Sequence, residues 1–145
     1  MTIPNVILVI ITGASPKSLA SEAARAIATQ QPGLLVLAAR NMSLLEETKS
    51  NILKSAPQAN LRLLQFDLGS QDSVRNAAAT VGSYTESFDA LINVAGVMAT
   101  PYAKTLDGIE SQFGINHIGM CLISVIFSVS HLQDRFFLPT WYYPN

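Results

Sequence analysis

In residues 5–11, NVILVII, an unbroken apolar run rich in β-branched side chains follows Asn5 from Val6 to Ile11, and no other feature limits the fold of this chain as strongly. A strand with one wet face alternates apolar and polar residues, whereas a continuous run belongs in a parallel sheet covered on both faces. Three further strands are read at LLVLAA (34–39), LRLLQF (61–66) and FDALINV (88–94). Helical patterns lie between them. From Lys17 to about Gln31, Leu19, Ala23 and Ile27 share a face, with Ala20, Ala24 and Ala28 beside them as a small-residue stripe that lets a helix lie close to a sheet. Pro32-Gly33 ends that stretch. Ser43 with Glu46 predicts a capping box for a second helix reaching about Ala56, where Pro57 stops it. Ser70 to about Gly82 reads as a third helix and Leu106 to about Ser130 as a fourth.

Strands and helices alternating at this spacing imply βαβ units with right-handed crossovers. The predicted fold class is α/β, a Rossmann-type parallel sheet with helices on both faces, short of a complete domain at about four strands. Residues 1–130 form this half domain, and 131–145 are an unassigned aromatic and proline-containing tail.

Composition narrows the function classes. A chain of 145 residues is one domain, able to bury roughly 70% of its unfolded surface. Its 49% hydrophobic and 13% charged residues suit a buried α/β core. The net charge is −1 and the nine Lys and Arg residues are scattered, so no basic stripe is available for nucleic-acid phosphates. Cys121 is alone, which leaves no internal disulfide and no Cys/His metal cluster; His117 and His131 lack ligand spacing and read as structural or exposed. A reducing, cytoplasmic setting is expected. No basic segment precedes the first apolar run, and the stretch 118–129 is broken by serines. Neither a signal peptide nor a membrane span is expected.

The loop after the first run, ITGASPKSLA at 11–20, holds one glycine where a dinucleotide-binding turn normally has three. A Walker-type phosphate loop needs glycine directly before its Lys-Ser pair; Pro16 stands there. In the dinucleotide reading, Gly13 supplies the tight turn and a helix N-terminus offers N–H groups and a positive dipole end to a pyrophosphate. Ala20 can serve the helix–strand packing of the last glycine. The middle glycine is lost, with Lys17 and Ser18 in its place and the Lys17 charge as an offset. Arg40 ends the second strand run, twenty positions after Ala20. An acidic residue there would bind the ribose 2′-hydroxyl of NAD, and an Arg suits the 2′-phosphate of NADP. Asp67 follows the third run at the carboxyl edge, placed for a ligand or for capping the next helix. Asn93, Ala95 and Gly96 make a small turn after the fourth run.

Taken in order, TGAS, Arg40, Asp67-Leu68, NVAG and Asn116 resemble the N-terminal half of a short-chain dehydrogenase/reductase. The segment TLDGIESQFGINHIG at 105–119 is similar to that of the retinol-dehydrogenase-like branch, and the resemblance covers roughly residues 5–123. It implies an NAD(P)-binding half domain. Gly13, Ser15 and Leu19 would line the pyrophosphate turn, Arg40 the 2′-phosphate, Asp67 and Leu68 the adenine, and Asn93, Ala95 and Gly96 the ribose side. Asn116 matches the family's catalytic asparagine, which kinks its helix and holds a water of the proton relay. Helical spacing puts it beside Ile109, Phe113 and Met120, where a buried polar group needs partners; a core Asn tying down backbone is the competing reading. Two departures stand out, the depleted glycine loop and Val94 in place of the second Asn of the usual NNAG.

Carbonyl reduction in this family needs a Tyr, a Lys four residues later and a Ser. Here the last lysine is Lys104, and neither Tyr84, Tyr102, Tyr142 nor Tyr143 has a Lys at that interval. Ser128 and Ser130 follow Asn116 by only twelve and fourteen residues, too soon for another βαβ crossover. The expectation is therefore an oxidoreductase-family protein, NADP-dependent by descent and inactive alone, whose complete relatives pass hydride between nicotinamide and a small-molecule carbonyl or alcohol. The alternative is a non-catalytic nucleotide-binding or interaction module that pairs, as a homo- or hetero-oligomer, through an unfilled sheet edge.

Overall fold

The computed structural model describes residues 7–84 and 88–131, with side chains as far as 128. Seven elements alternate first: β1 (Leu8–Thr12), α1 (Leu19–Ala28), β2 (Leu34–Ala39), α2 (Met42–Ser55), β3 (Leu61–Gln65), α3 (Gln71–Gly82) and β4 (Ala90–Ile92). A single long helix follows in three pieces: α4 (Ser111–Phe113), a π-helical turn at Gly114–Gly119, and α5 (Met120–His131). The four strands are parallel in the order β3-β2-β1-β4. The chain winds outward from β1 to β3, then crosses back to lay β4 on the other side of β1. That reversal puts the switch point between β1 and β4.

The sheet is covered on both faces, which is why β1 is buried at every residue. Leu8 and Ile10 point into a core shared with Val74, Ala78, Ile123 and Phe127 of α3 and α5. Val9 and Ile11 point the other way, toward Ala20, Ala24 and Ala28 of α1 and Leu45 and Ile52 of α2. In α1 the alanine stripe is the buried face, as the spacing predicts, but Leu19 is 77% exposed. The alanines bring the helix so close that the larger residue at its first position is left outside. On the opposite face Phe127 is fully buried and meets Phe88 edge to face at 5.3 Å. Burying such a ring contributes about 2–3 kcal/mol, and it anchors α5 beneath β4.

Several boundaries differ from the sequence expectation. The N-cap of α2 is Asn41, whose Oδ1 accepts from the Leu44 N–H, so the Ser43/Glu46 box is not used. β2 ends two residues before Asn41, and the turn leaves that side chain, not Ser43, at the first free N–H groups. Ser18 and Ser70 cap α1 and α3. The fourth helix starts at Ser111, not Leu106, because Gly108 takes a left-handed φ of 78° and Glu110 accepts the N–H groups of Gln112 and Phe113 as the N-cap. β4 is three residues long and bonds to β1 alone among the described strands. Ser111–Ser128 is, among the described residues, one helix long and apolar enough to cross a membrane by length and composition. Ile123 and Phe127 of that stretch are committed to the core with α3. The first six residues and the tail 132–145, with Tyr142 and Tyr143, lie outside the described residues.

Candidate functional site

The carboxyl ends of all four strands open on one cleft of about 1010 Å³. Its wall includes Thr12, Gly13, Ser15, Ser18 and Leu19 after β1, Ala38 to Leu44 after β2, Gln65 to Leu68 after β3 and Val94 to Val97 after β4, closed by Ile115. Gly13, Ser15, Leu19, Arg40, Asp67, Leu68, Ala95 and Gly96 thus stand together, as the sequence predicts. Lys17, Asn93 and Asn116 are not part of this wall.

Two rims of the cleft touch at Gly13. Its φ is 79°, and a Cβ there would lie 2.8 Å from the Ala95 Cα, so both the backbone turn and the close approach of β4 require glycine. Beside it Thr12 is fully buried, and its Oγ1 accepts the N–H groups of Val94 (3.1 Å) and Ala95 (3.2 Å). Thr12 is a site residue that sequence reasoning missed; the polar hydroxyl ending an otherwise apolar strand was the available signal. Further along the turn, Lys17 holds a φ of 59°. A non-glycine residue in that region is strained by roughly 1–2 kcal/mol, so the backbone of the lost glycine persists under a lysine. The Lys17 side chain is exposed.

On the β2 and β3 rims, Arg40 is exposed and makes no ion pair among the described residues; its carbonyl accepts from Gln65 Nε2 at 2.9 Å. Asp67 does not cap α3, a role taken by Ser70. Instead its Oδ1 accepts the Gly69 N–H at 2.8 Å, while its own N–H donates to Ser73 Oγ at 2.9 Å. These bonds pin the carboxylate at the cleft edge.

The β4 side is held by the long helix. Asn93 Nδ2 donates to Ser124 Oγ at 3.0 Å, which turns it away from the cleft. Asn116 is exposed, not buried: its Oδ1 accepts the Val97 N–H (2.8 Å) and its Nδ2 donates to the Val97 carbonyl (2.7 Å). The apolar neighbours expected from regular helical spacing are displaced because Asn116 lies inside the π-helical turn, whose extra residue rotates the helix face. The resemblance implies a kink at Asn116, and a π-helical turn is a common cause of one. Gly96 admits the amide, since a Cβ there would come within 3.2 Å of Asn116 Oδ1. One turn earlier Gln112 repeats the grip, its Oε1 accepting the Ala99 N–H (3.2 Å) and its Nε2 donating to the Thr100 carbonyl (3.5 Å). Gln112 was also missed, though it precedes Asn116 by four residues.

Among the described residues, no tyrosine lines the cleft. Tyr84 sits under the Arg62 guanidinium at 4.4 Å, and Tyr102 is exposed on the loop before α4. Ser128 lies within α5 and is not on a fifth strand. His117 is exposed and stacks on Phe113 at 5.2 Å. Groups of three or more metal-ligating residues are absent among the described residues.

Comparison with known proteins gives one consistent result. The family model for short chain dehydrogenases matches residues 7–133. Retinol dehydrogenase 13 of Homo sapiens is 38% identical over 119 residues, 80% of this chain and 34% of that protein. The short-chain dehydrogenase/reductase prx1 of Penicillium roqueforti is 39% identical over 114 residues, 79% of this chain and 32% of that protein. The chain therefore spans about a third of the length of these curated relatives. Among solved structures, a short chain dehydrogenase from Mycobacterium smegmatis superposes with a TM-score of 0.73 over 90% of this chain and 53% of that one, at 13% identity. L-sorbose reductase from Gluconobacter frateurii, solved with NADPH and L-sorbose, gives 0.70 over 87% and 48%, at 17% identity. Both share the fold.

Proposed function

Because this chain belongs to the short-chain dehydrogenase/reductase family, we propose that it is the NADP-binding part of an oxidoreductase and turns over no substrate by itself. The observation that carries the cofactor choice is Arg40, whose guanidinium has no ion-pair partner among the described residues and lies on the wall of the same cleft as Gly13, Asp67 and Ala95. A planar fork with no acid to neutralise it suits a 2′-phosphate and leaves no acceptor for a bare 2′-hydroxyl. Asp67 and Leu68 would flank the adenine, and Ala95 and Gly96 the ribose beyond the turn. The bound nicotinamide would supply hydride transfer to or from a carbonyl or alcohol.

The fit to a whole dinucleotide is incomplete. The adenosine end has its cation and its polar edge. The β1–α1 turn carries a strained lysine where the middle glycine is lost, and an exposed leucine two residues on. No Tyr with a Lys four residues later exists in these 145 residues to protonate a carbonyl oxygen.

Titrating NADPH and NADH against the wild type and Arg40→Ala tests this reading. A preference for NADPH is expected, and Arg40→Ala should erase it; an unchanged ratio removes Arg40 from the site. NADPH-dependent carbonyl reduction by the purified chain, abolished by Asn116→Ala, would overturn the claim of inactivity. A second reading has its own observation. β4 bonds to one neighbour among the described strands, and such an edge invites a strand from another chain. Sedimentation of the chain with and without a complete short-chain reductase tests it, and a lone monomer in both runs argues against it.

A further inference from the structure

We propose that the cleft takes an adenosine 2′-phosphate unit as its ligand, and that Leu19 keeps the diphosphate of a dinucleotide out of the β1–α1 turn. This rests on the NADP reading above and concerns which part of such a ligand the chain holds.

Backbone donors decide what a phosphate turn can bind. In this turn they are nearly all spent. The N–H groups of Gly13 and Ala14 donate to the Ala38 carbonyl, that of Ser15 to Gly13, and that of Ser18 to Ser15. At the start of α1 the Ser21 N–H is taken by Ser18 Oγ at 3.0 Å and the Glu22 N–H by the Ser18 carbonyl at 3.3 Å. Pro16 has none. What remains is Lys17, Leu19 and Ala20. Lys17 and Ala20 lie outside the cleft wall, so the one of these three residues that reaches the cleft is Leu19, whose side chain is 77% exposed. A diphosphate seated there would lose water against an isobutyl group and regain few hydrogen bonds, an unfavourable exchange for a charged group. Nothing similar blocks the other end. Arg40 faces the cleft without an ion-pair partner among the described residues, beside Asn41 and Ser43, and the Asp67 carboxylate is fixed at the facing edge.

The test is calorimetric titration of the full chain with adenosine 2′-monophosphate and with NADPH, for the wild type, Arg40→Ala and Leu19→Gly. In the wild type the two ligands should bind within about threefold of each other, because the diphosphate and nicotinamide add nothing. Leu19→Gly should raise NADPH affinity about tenfold and leave the monophosphate unchanged. NADPH binding more than tenfold tighter than the monophosphate in the wild type overturns the proposal without any variant. A Leu19→Gly gain shared equally by both ligands does the same. Should neither ligand bind the wild type, the NADP reading itself falls. Should both bind and both be lost in Arg40→Ala, that reading stands and the wild-type ratio alone decides the present proposal.

Discussion

Two loops on one rim, 12–19 and 93–100, are shaped in opposite ways. The first carries its form in its own backbone: Gly13 and Lys17 are left-handed, and Ser18 both caps α1 and donates to the Gly13 carbonyl at 3.0 Å. The second borrows its form from elsewhere. Thr12 holds Val94 and Ala95, Asn116 holds Val97, and Gln112 holds Ala99 and Thr100, with Ala99 itself at a φ of 54°. A loop of the first kind fails when a backbone conformation is forbidden. A loop of the second kind fails when a distant side chain is removed.

The sharpest way to break this contrast is Gly13→Ala. The methyl group would meet a left-handed φ and the Ala95 Cα at once, and the expected loss is about 3 kcal/mol by urea denaturation. A loss near that of an ordinary surface substitution would mean that β4 does not rest on this turn. Thr12→Val comes next. It keeps the shape and removes one oxygen that serves two N–H groups, for a cost of about 2 kcal/mol. Thr12→Ser should recover most of it, whereas no loss in Thr12→Val beside a full loss in Thr12→Ser would show that the methyl, not the hydroxyl, matters.

The same contrast explains what is legible in the sequence. LLVLAA became β2 at its exact limits because a strand buried on both faces writes every residue as apolar. The alanine stripe gave the buried face of α1, and the resemblance brought Arg40, Asp67 and Ala95 to one cleft. Non-local bonds were not legible. The sequence reads as helix from Leu106, yet Asp107 there accepts the N–H of Gln71, a residue 36 positions away. Regular helical spacing puts Asn116 on an otherwise apolar face, and one π-helical turn is enough to rotate it onto the loop.

Removing the borrowed bonds one at a time sharpens the second half of the comparison. Asn116→Ala and Gln112→Ala each delete a side-chain amide that bonds an exposed loop, so each should cost only about 1 kcal/mol. The informative readout is local. Hydrogen exchange of the Val97 amide should speed up in Asn116→Ala and that of Ala99 in Gln112→Ala, with Gly13 and Ser15 unchanged. Faster exchange throughout 12–19 in either variant would show that the two loops are one cooperative unit.

The smallest effect expected is at Glu110, which starts the helix that carries both amides. Its carboxylate accepts the N–H groups of Phe113 at 2.8 Å and Gln112 at 2.9 Å, and these bonds hold its pKa below the ordinary carboxylate value. A depressed folded-state pKa means that the contribution is complete above the unfolded value and is lost as pH falls through the folded one. The cap therefore acts fully at neutral pH and weakens on acidification. The stability difference between wild type and Glu110→Gln should shrink as pH drops below the carboxylate range, and the Gln112 and Phe113 amide resonances should shift with it in the wild type alone. If the Val97 and Ala99 amides shift over the same pH interval, the cap and the borrowed grip are coupled through one turn of helix. If they stay fixed, the core contacts of Ile123 and Phe127 suffice to hold the helix against the loop.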